Sequence, residues 1–127
     1  MLELHQVAQR AHDVDRAVEF YTKVLGGELI ARFDPPGLAF VTLGSSRLLL
    51  EQNAPSAMIY LRVADVRDTI DELRESGVTV DTEPHRIHVD AEGAFGEKDW
   101  EEWMAFIRDS EGNLLGLASR HAPPAGS

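Results

Sequence analysis

The sequence predicts an α+β fold: two βαβββ modules with pseudo-two-fold symmetry, whose mixed sheets enclose a cavity. Two observations carry the prediction. A strand-then-helix pattern occurs twice, with Arg10 and Arg62, Asp13 and Asp65, and Val14 and Val66 at the same offsets. Each copy is followed by short alternating segments divided by turn-forming residues, which read as further strands. A period of about fifty residues that occurs only twice is an internal duplication, too short for a solenoid.

The elements follow in order. Gln6 to Arg10 and Met58 to Arg62 alternate as first strands. Asp13 and Asp65 then stand where a carboxylate can accept a backbone N–H and complement a helix dipole. In the first helix Val14, Ala17, Val18, Tyr21, Val24 and Leu25 keep a 3.6-residue period, and in the second Val66, Ile70 and Leu73 do the same. Gly26 and Gly77 supply left-handed stops. Further strands are expected over 28–33, 38–43 and 47–51, then over 78–88, 103–108 and 113–119, with 110–113 as a turn. Residues 89–102 read as a long irregular loop, and Phe95, Trp100, Trp103 and Phe106 cluster around it and suit a core or a lid. The boundaries are module one at 1–52, a linker at 53–56, module two at 57–120 and a loose tail at 121–127.

Bulk properties narrow the function classes. A chain of 127 residues, 43% hydrophobic and 27% charged, can bury a core as one globular domain. With no cysteine, it has no disulfide, thiolate ligand or cysteine nucleophile. The first ten residues lack the apolar run of a signal peptide, so the cytoplasm is the expected location. A net charge of −10 with 12 scattered basic residues opposes nucleic acid and anionic membranes. A small-molecule ligand is the expected partner.

Certain segments resemble a known family. They are the run from Asp13 to Tyr21 with Val24-Leu25-Gly26, then Leu61 to Val66 with Leu73 and Gly77-Val78, and finally Arg108-Asp109-Ser110-Glu111-Gly112-Asn113-Leu114. Together, over residues 4–120, they resemble the glyoxalase, bleomycin-resistance and ring-cleavage dioxygenase family, also called the vicinal oxygen chelate family. The resemblance implies a homodimer. In many members it also implies one divalent metal (Zn, Fe, Mn, Ni or Mg) acting as a Lewis acid in a lyase, isomerase or dioxygenase. Other members carry no metal and sequester a ligand, as drug-resistance proteins do. Both readings stay open, because fold alone does not choose.

The resemblance also implies metal positions at Gln6 and Met58 at the start of the first strands, at Gly116 on the last strand, and at Leu49 with Glu51 on the same strand face. Glutamine can ligate through oxygen; methionine is soft, and glycine has no side chain. A displaced metal set of His5, Gln6, Glu51 and His88 would supply histidines and a carboxylate suited to zinc or non-haem iron. His85, His88 and Glu51 are the catalytic candidates, although His85 and His88 have opposite strand parity and need a bulge to share a face. Gln6, Arg10, Met58, Tyr60, Arg62 and Trp103 are the substrate-binding candidates. His12 and His121 read as surface residues. Acidic charge predicts a cationic ligand, whereas cavity-facing Arg10 and Arg62 predict an anionic one, so the direction of these arginines discriminates.

Overall fold

Each half of the chain builds a four-stranded mixed sheet with the same strand order, as seen in a computed structural model that describes residues 4–125. In the first half, β1 (Val7–Arg10) runs parallel to β4 (Ser46–Glu51). That strand pairs antiparallel with β3 (Leu38–Leu43), and β3 pairs with β2 (Glu28–Phe33). In the second half, β5 (Ile59–Arg62) runs parallel to β8 (Leu114–His121), followed by β7 (Trp100–Arg108) and β6 (Val80–Asp90). The repeated order establishes the duplication structurally. Among the described residues no helix is long and apolar enough to cross a membrane.

One helix covers one face of each sheet. Asp13 caps α1 (Val14–Glu19) by accepting the Arg16 N–H at 3.1 Å, and Asp65 caps α2 (Val66–Glu75) by accepting the Arg67 N–H at 2.9 Å. Val66, Ile70 and Leu73 are buried on α2, in the same core as Ala105, Ile107, Leu115 and Leu117. The first helix differs from expectation. After Glu19 it widens into a π-helical turn, Phe20–Val24, with the Leu25 N–H reaching back to the Phe20 carbonyl. The Thr22 hydroxyl donates to the Val18 carbonyl at 2.7 Å, competing with the helical ladder at that turn.

The chain divides into two compact units. Unit 1 runs through Ala57 and takes in Asp109–Asn113; unit 2 comprises Met58–Arg108 and the chain from Leu114. The segment expected to be a linker therefore belongs to unit 1. Its Ala54 is buried and its carbonyl accepts from Arg10 Nε at 3.2 Å. In the core of unit 1 the Tyr21 hydroxyl donates to Asp109 Oδ2 at 2.7 Å and accepts from Gln9 Nε2 at 3.4 Å. Burial, reinforced by the Asp109 carboxylate, pushes the Tyr21 phenol far above its ordinary range.

Two boundaries are corrected. The expected loop 89–102 shrinks to the segment between Asp90 and Trp100, because β6 and β7 keep pairing as far as the Asp90–Trp100 pair. His121, assigned to the tail and read as a surface residue, is the last residue of β8 and accompanies Ser119 and Trp103. Residues 126 and 127 of the expected loose tail lie outside the described residues.

Candidate ligand-binding site

The site in unit 2 lies on the sheet face opposite α2. Strand pairing sets Tyr60 beside Gly116 and Arg62 beside Ala118; across β8 and β7, Gly116 pairs with Phe106 and Arg120 with Glu102. Alternation therefore puts Tyr60, Arg62, Phe106, Glu102 and Arg120 on one face. Tyr60 meets Phe106 edge-on, with ring centroids 6.2 Å apart. A cavity of about 530 Å³ is lined here by Tyr60, Arg62, Phe95, Glu102 and Arg120, among others. That is room for a ligand of drug size.

A buried carboxylate organises one wall. Asp90 is 4% exposed and accepts the Ala94 and Phe95 backbone N–H groups at 2.8 and 3.0 Å. Arg120 Nη1 donates to Asp90 at 3.1 Å and to Glu102, while Nη2 donates to the Glu97 carbonyl at 2.9 Å. The Phe95 N–H holds the Asp90 carboxyl below its ordinary value against the effect of burial, with Ala94 and Arg120 adding to it. The loop is thus tied to the sheet and presents Phe95 edge-on to His88, at 6.2 Å between centroids.

The bulge that the two histidines require is present. His85 pairs with Met104, Arg86 with Trp103 and His88 with Glu102, with a register shift between Arg86 and His88. Met104 and Glu102 are two residues apart on β7, so His85 and His88 share the face of Tyr60. His85 Nδ1 lies 3.0 Å from the Glu83 carbonyl, so it carries the proton and leaves Nε2 as an acceptor. Met58, 42% exposed, directly precedes β5. Trp103 is a correction. It pairs with Ser119 on the opposite face, donates Nε1–H to Glu101 at 2.9 Å and lies under Arg67. Trp103 is therefore removed from the ligand-binding set.

Unit 1 has its own polar cluster on the face opposite α1. Arg47 Nε and Nη2 donate to Gln6 Oε1 at 3.1 and 2.9 Å, and Nη2 lies 2.6 Å from His5 Nε2. The guanidinium stands 5.3 Å from the Phe40 ring centroid. A cavity of about 340 Å³ opens beside His5, Gln6, Ser45, Ser46 and Arg47. Glu51 is at the far end of the same strand, paired with Arg10. It stands four positions along β4 from Arg47, roughly 13 Å away. The structure thus brings His5 to Gln6 but not Glu51 to either; His88 belongs to unit 2. The sequence reading missed Arg47, Asp90 and Arg120.

The arginines separate into two classes. The 12 basic residues are two lysines and ten arginines. Arg16, Arg32, Arg67, Arg74, Arg86, Arg108 and Arg120 each form an ion pair. Among the described residues Arg10, Arg47 and Arg62 have no carboxylate partner, and all three lie on helix-free sheet faces. In a chain with 22 acids, that distribution leaves unpaired positive charge where a ligand can reach it.

A family model of the Glyoxalase/Bleomycin resistance protein/Dioxygenase superfamily matches residues 3–117. The chain belongs to this superfamily. Solved structures with the same fold include virulence protein STM3117 from Salmonella typhimurium, 20% identical with a TM-score of 0.69, covering 94% of this chain and 97% of that one. A superfamily member from Sphaerobacter thermophilus DSM 20745 is 19% identical with a TM-score of 0.71, covering 94% and 98%. TioX from Micromonospora sp. ML1 is 20% identical with a TM-score of 0.68, covering 94% and 100%. At these identities they share the fold alone. No curated protein sequence matches the chain.

Members of the superfamily often hold a divalent metal, but the residues at the corresponding positions here do not fit one. Gln6 directs its oxygen to the Arg47 guanidinium, which is already a cation. Leu49 and Met58 offer no hard ligand. The last position is filled from the side: a β-carbon on Gly116 would lie 2.4 Å from Tyr60 Cδ1, so the ring takes the space a ligating side chain needs. Among the described residues no three His, Asp or Glu side chains come together as a metal-holding group.

Proposed function

We propose that this superfamily member binds a small anionic molecule on the helix-free face of unit 2 without a metal. Arg62 holds the ligand's carboxylate, and Tyr60 and Phe95 cover its planar apolar part. The observation that carries this reading is the Arg62 guanidinium, which lines a cavity of about 530 Å³ and has no partner among the described residues. An unpaired guanidinium offers a rigid fork of donors matched to a carboxylate, and the adjacent rings supply stacking area. Local charge thus outweighs the overall acidity in selecting the ligand, since exposed charges beyond a Debye length are screened.

Thermal denaturation with benzoate and with benzylamine tests this reading. The expected result is concentration-dependent stabilisation by benzoate, as for any ligand that binds only the native state, and none by benzylamine. Stabilisation by the amine alone would contradict it.

A further inference from the structure

We propose that unit 1 carries a second anion site, in which the Arg47 guanidinium holds a small carboxylate at the place where Gln6 would otherwise face a metal ion. The site is independent of Arg62 and goes beyond the reading above.

The guanidinium is fixed before any ligand arrives. Its Nε and Nη2 both donate to the single Oε1 of Gln6, which sets the plane of the group, and Phe40 supports it from below. The third contact fixes a tautomer. Arginine only donates, so His5 Nε2 must accept from Nη2 and its proton must sit on Nδ1. None of these partners is an acid, so among the described residues the positive charge is positioned without being cancelled. That separates Arg47 from the seven ion-paired arginines.

The remaining donors point to the ligand class. Nη1 makes no hydrogen bond among the described residues, and the Ser45 and Ser46 hydroxyls have no side-chain partner among them. All border the same cavity of about 340 Å³, ample for a small carboxylate. One carboxylate oxygen can take Nη1 while the other takes a serine hydroxyl. The second N–H of Nη2 joins them once His5 turns away. Among the described residues the nearest acid across the ladder is Glu28, paired with Thr42, which itself pairs with Arg47. Two strand spacings, about 10 Å, keep it from neutralising the site.

The test uses the full chain, passed over a chelating resin and titrated with oxalate at constant ionic strength while ¹H–¹⁵N spectra are recorded. The expected result is a saturable shift of the Arg47 Nε–H and of the Ser45 and Ser46 amides, with millimolar affinity. Arg47→Lys, which keeps the charge but loses the fork, is expected to weaken binding by at least about tenfold. Gln6→Glu, which places a neutralising carboxylate against the guanidinium, is expected to weaken it comparably even if the lysine variant folds poorly. Arg62→Gln is expected to leave it unchanged. Absence of any saturable Arg47 shift overturns the proposal, as does wild-type oxalate affinity in either Arg47→Lys or Gln6→Glu.

Discussion

The Tyr60 ring lies over Gly116, so close that a β-carbon on residue 116 would sit 2.4 Å from Cδ1 and 2.8 Å from Cε1. The two residues are direct partners across β5 and β8. Glycine here is what lets the ring lie against the sheet and form the floor of the cavity. The same contact fills the position where the family resemblance implies the last metal ligand, so the proposed ligand surface and a metal ligand would compete for one volume.

Restoring a ligating residue should therefore cost stability. Gly116→His is expected to lower stability by about 1–3 kcal/mol through overpacking against Tyr60. Adding Tyr60→Ala should recover most of that loss, because the two effects share one contact. Urea midpoints of both single variants and the double variant check the coupling.

In unit 1, Tyr21→Phe removes the hydroxyl that donates to Asp109 and accepts from Gln9. Asp109 keeps the Glu111 and Asn113 backbone N–H groups and the Asn113 side-chain amide. The loss is expected to be about 1–3 kcal/mol, from the unmet hydrogen bonds of buried groups. Urea unfolding should show a lower midpoint at an unchanged slope.

Acid should destabilise the chain partly through Glu111. Its side chain is 1% exposed. Burial would raise the carboxyl pKa, but the Arg16 guanidinium, the Asp13 N–H and the Ser110 hydroxyl outweigh burial and bring it down to about 2. A group depressed in the folded state contributes stability above its ordinary value of 4.5 and loses it as pH falls through about 2. Glu111→Gln should flatten that part of the stability–pH curve. It is expected to cost about 1–2 kcal/mol at neutral pH, discounted for the half-exposed Arg16. Stability measured from pH 7 to pH 2 in both proteins gives the comparison.

Asp90→Asn removes the charge that anchors Arg120 and weakens the acceptor for the Ala94 and Phe95 N–H groups. Hydrogen exchange at Ala94 and Phe95 should accelerate while β5 and β8 keep wild-type protection. Unchanged exchange would mean that the loop holds itself without Asp90.

Much of this was legible from local pattern. The matched Asp13 and Asp65 caps, the helix periods and the common parity of Arg10 and Arg62 need only neighbouring residues to be read. The β6 bulge was not legible: opposite parity shows only that His85 and His88 need a bulge to share a face, and the register shift that supplies it comes from the pairing with β7. Trp103 was misassigned for a physical reason: in β7 both Met104 and Phe106 on one face and Ala105 and Ile107 on the other are apolar, so alternation gives no orientation. Arg47 was invisible as a site residue because its partners His5 and Gln6 lie more than forty positions earlier, across a parallel pairing that only the fold creates. Asp90 acts through backbone N–H groups, which no residue pattern records.

The most direct measurement is calorimetric titration of benzoate into resin-stripped protein, repeated with Mg²⁺, Mn²⁺ or Zn²⁺ added and with Arg62→Gln. The predicted result is the same affinity with and without metal, weakened at least about tenfold by Arg62→Gln. Binding that appears only with added metal, or that is unchanged in Arg62→Gln, would contradict a metal-free site built on Arg62.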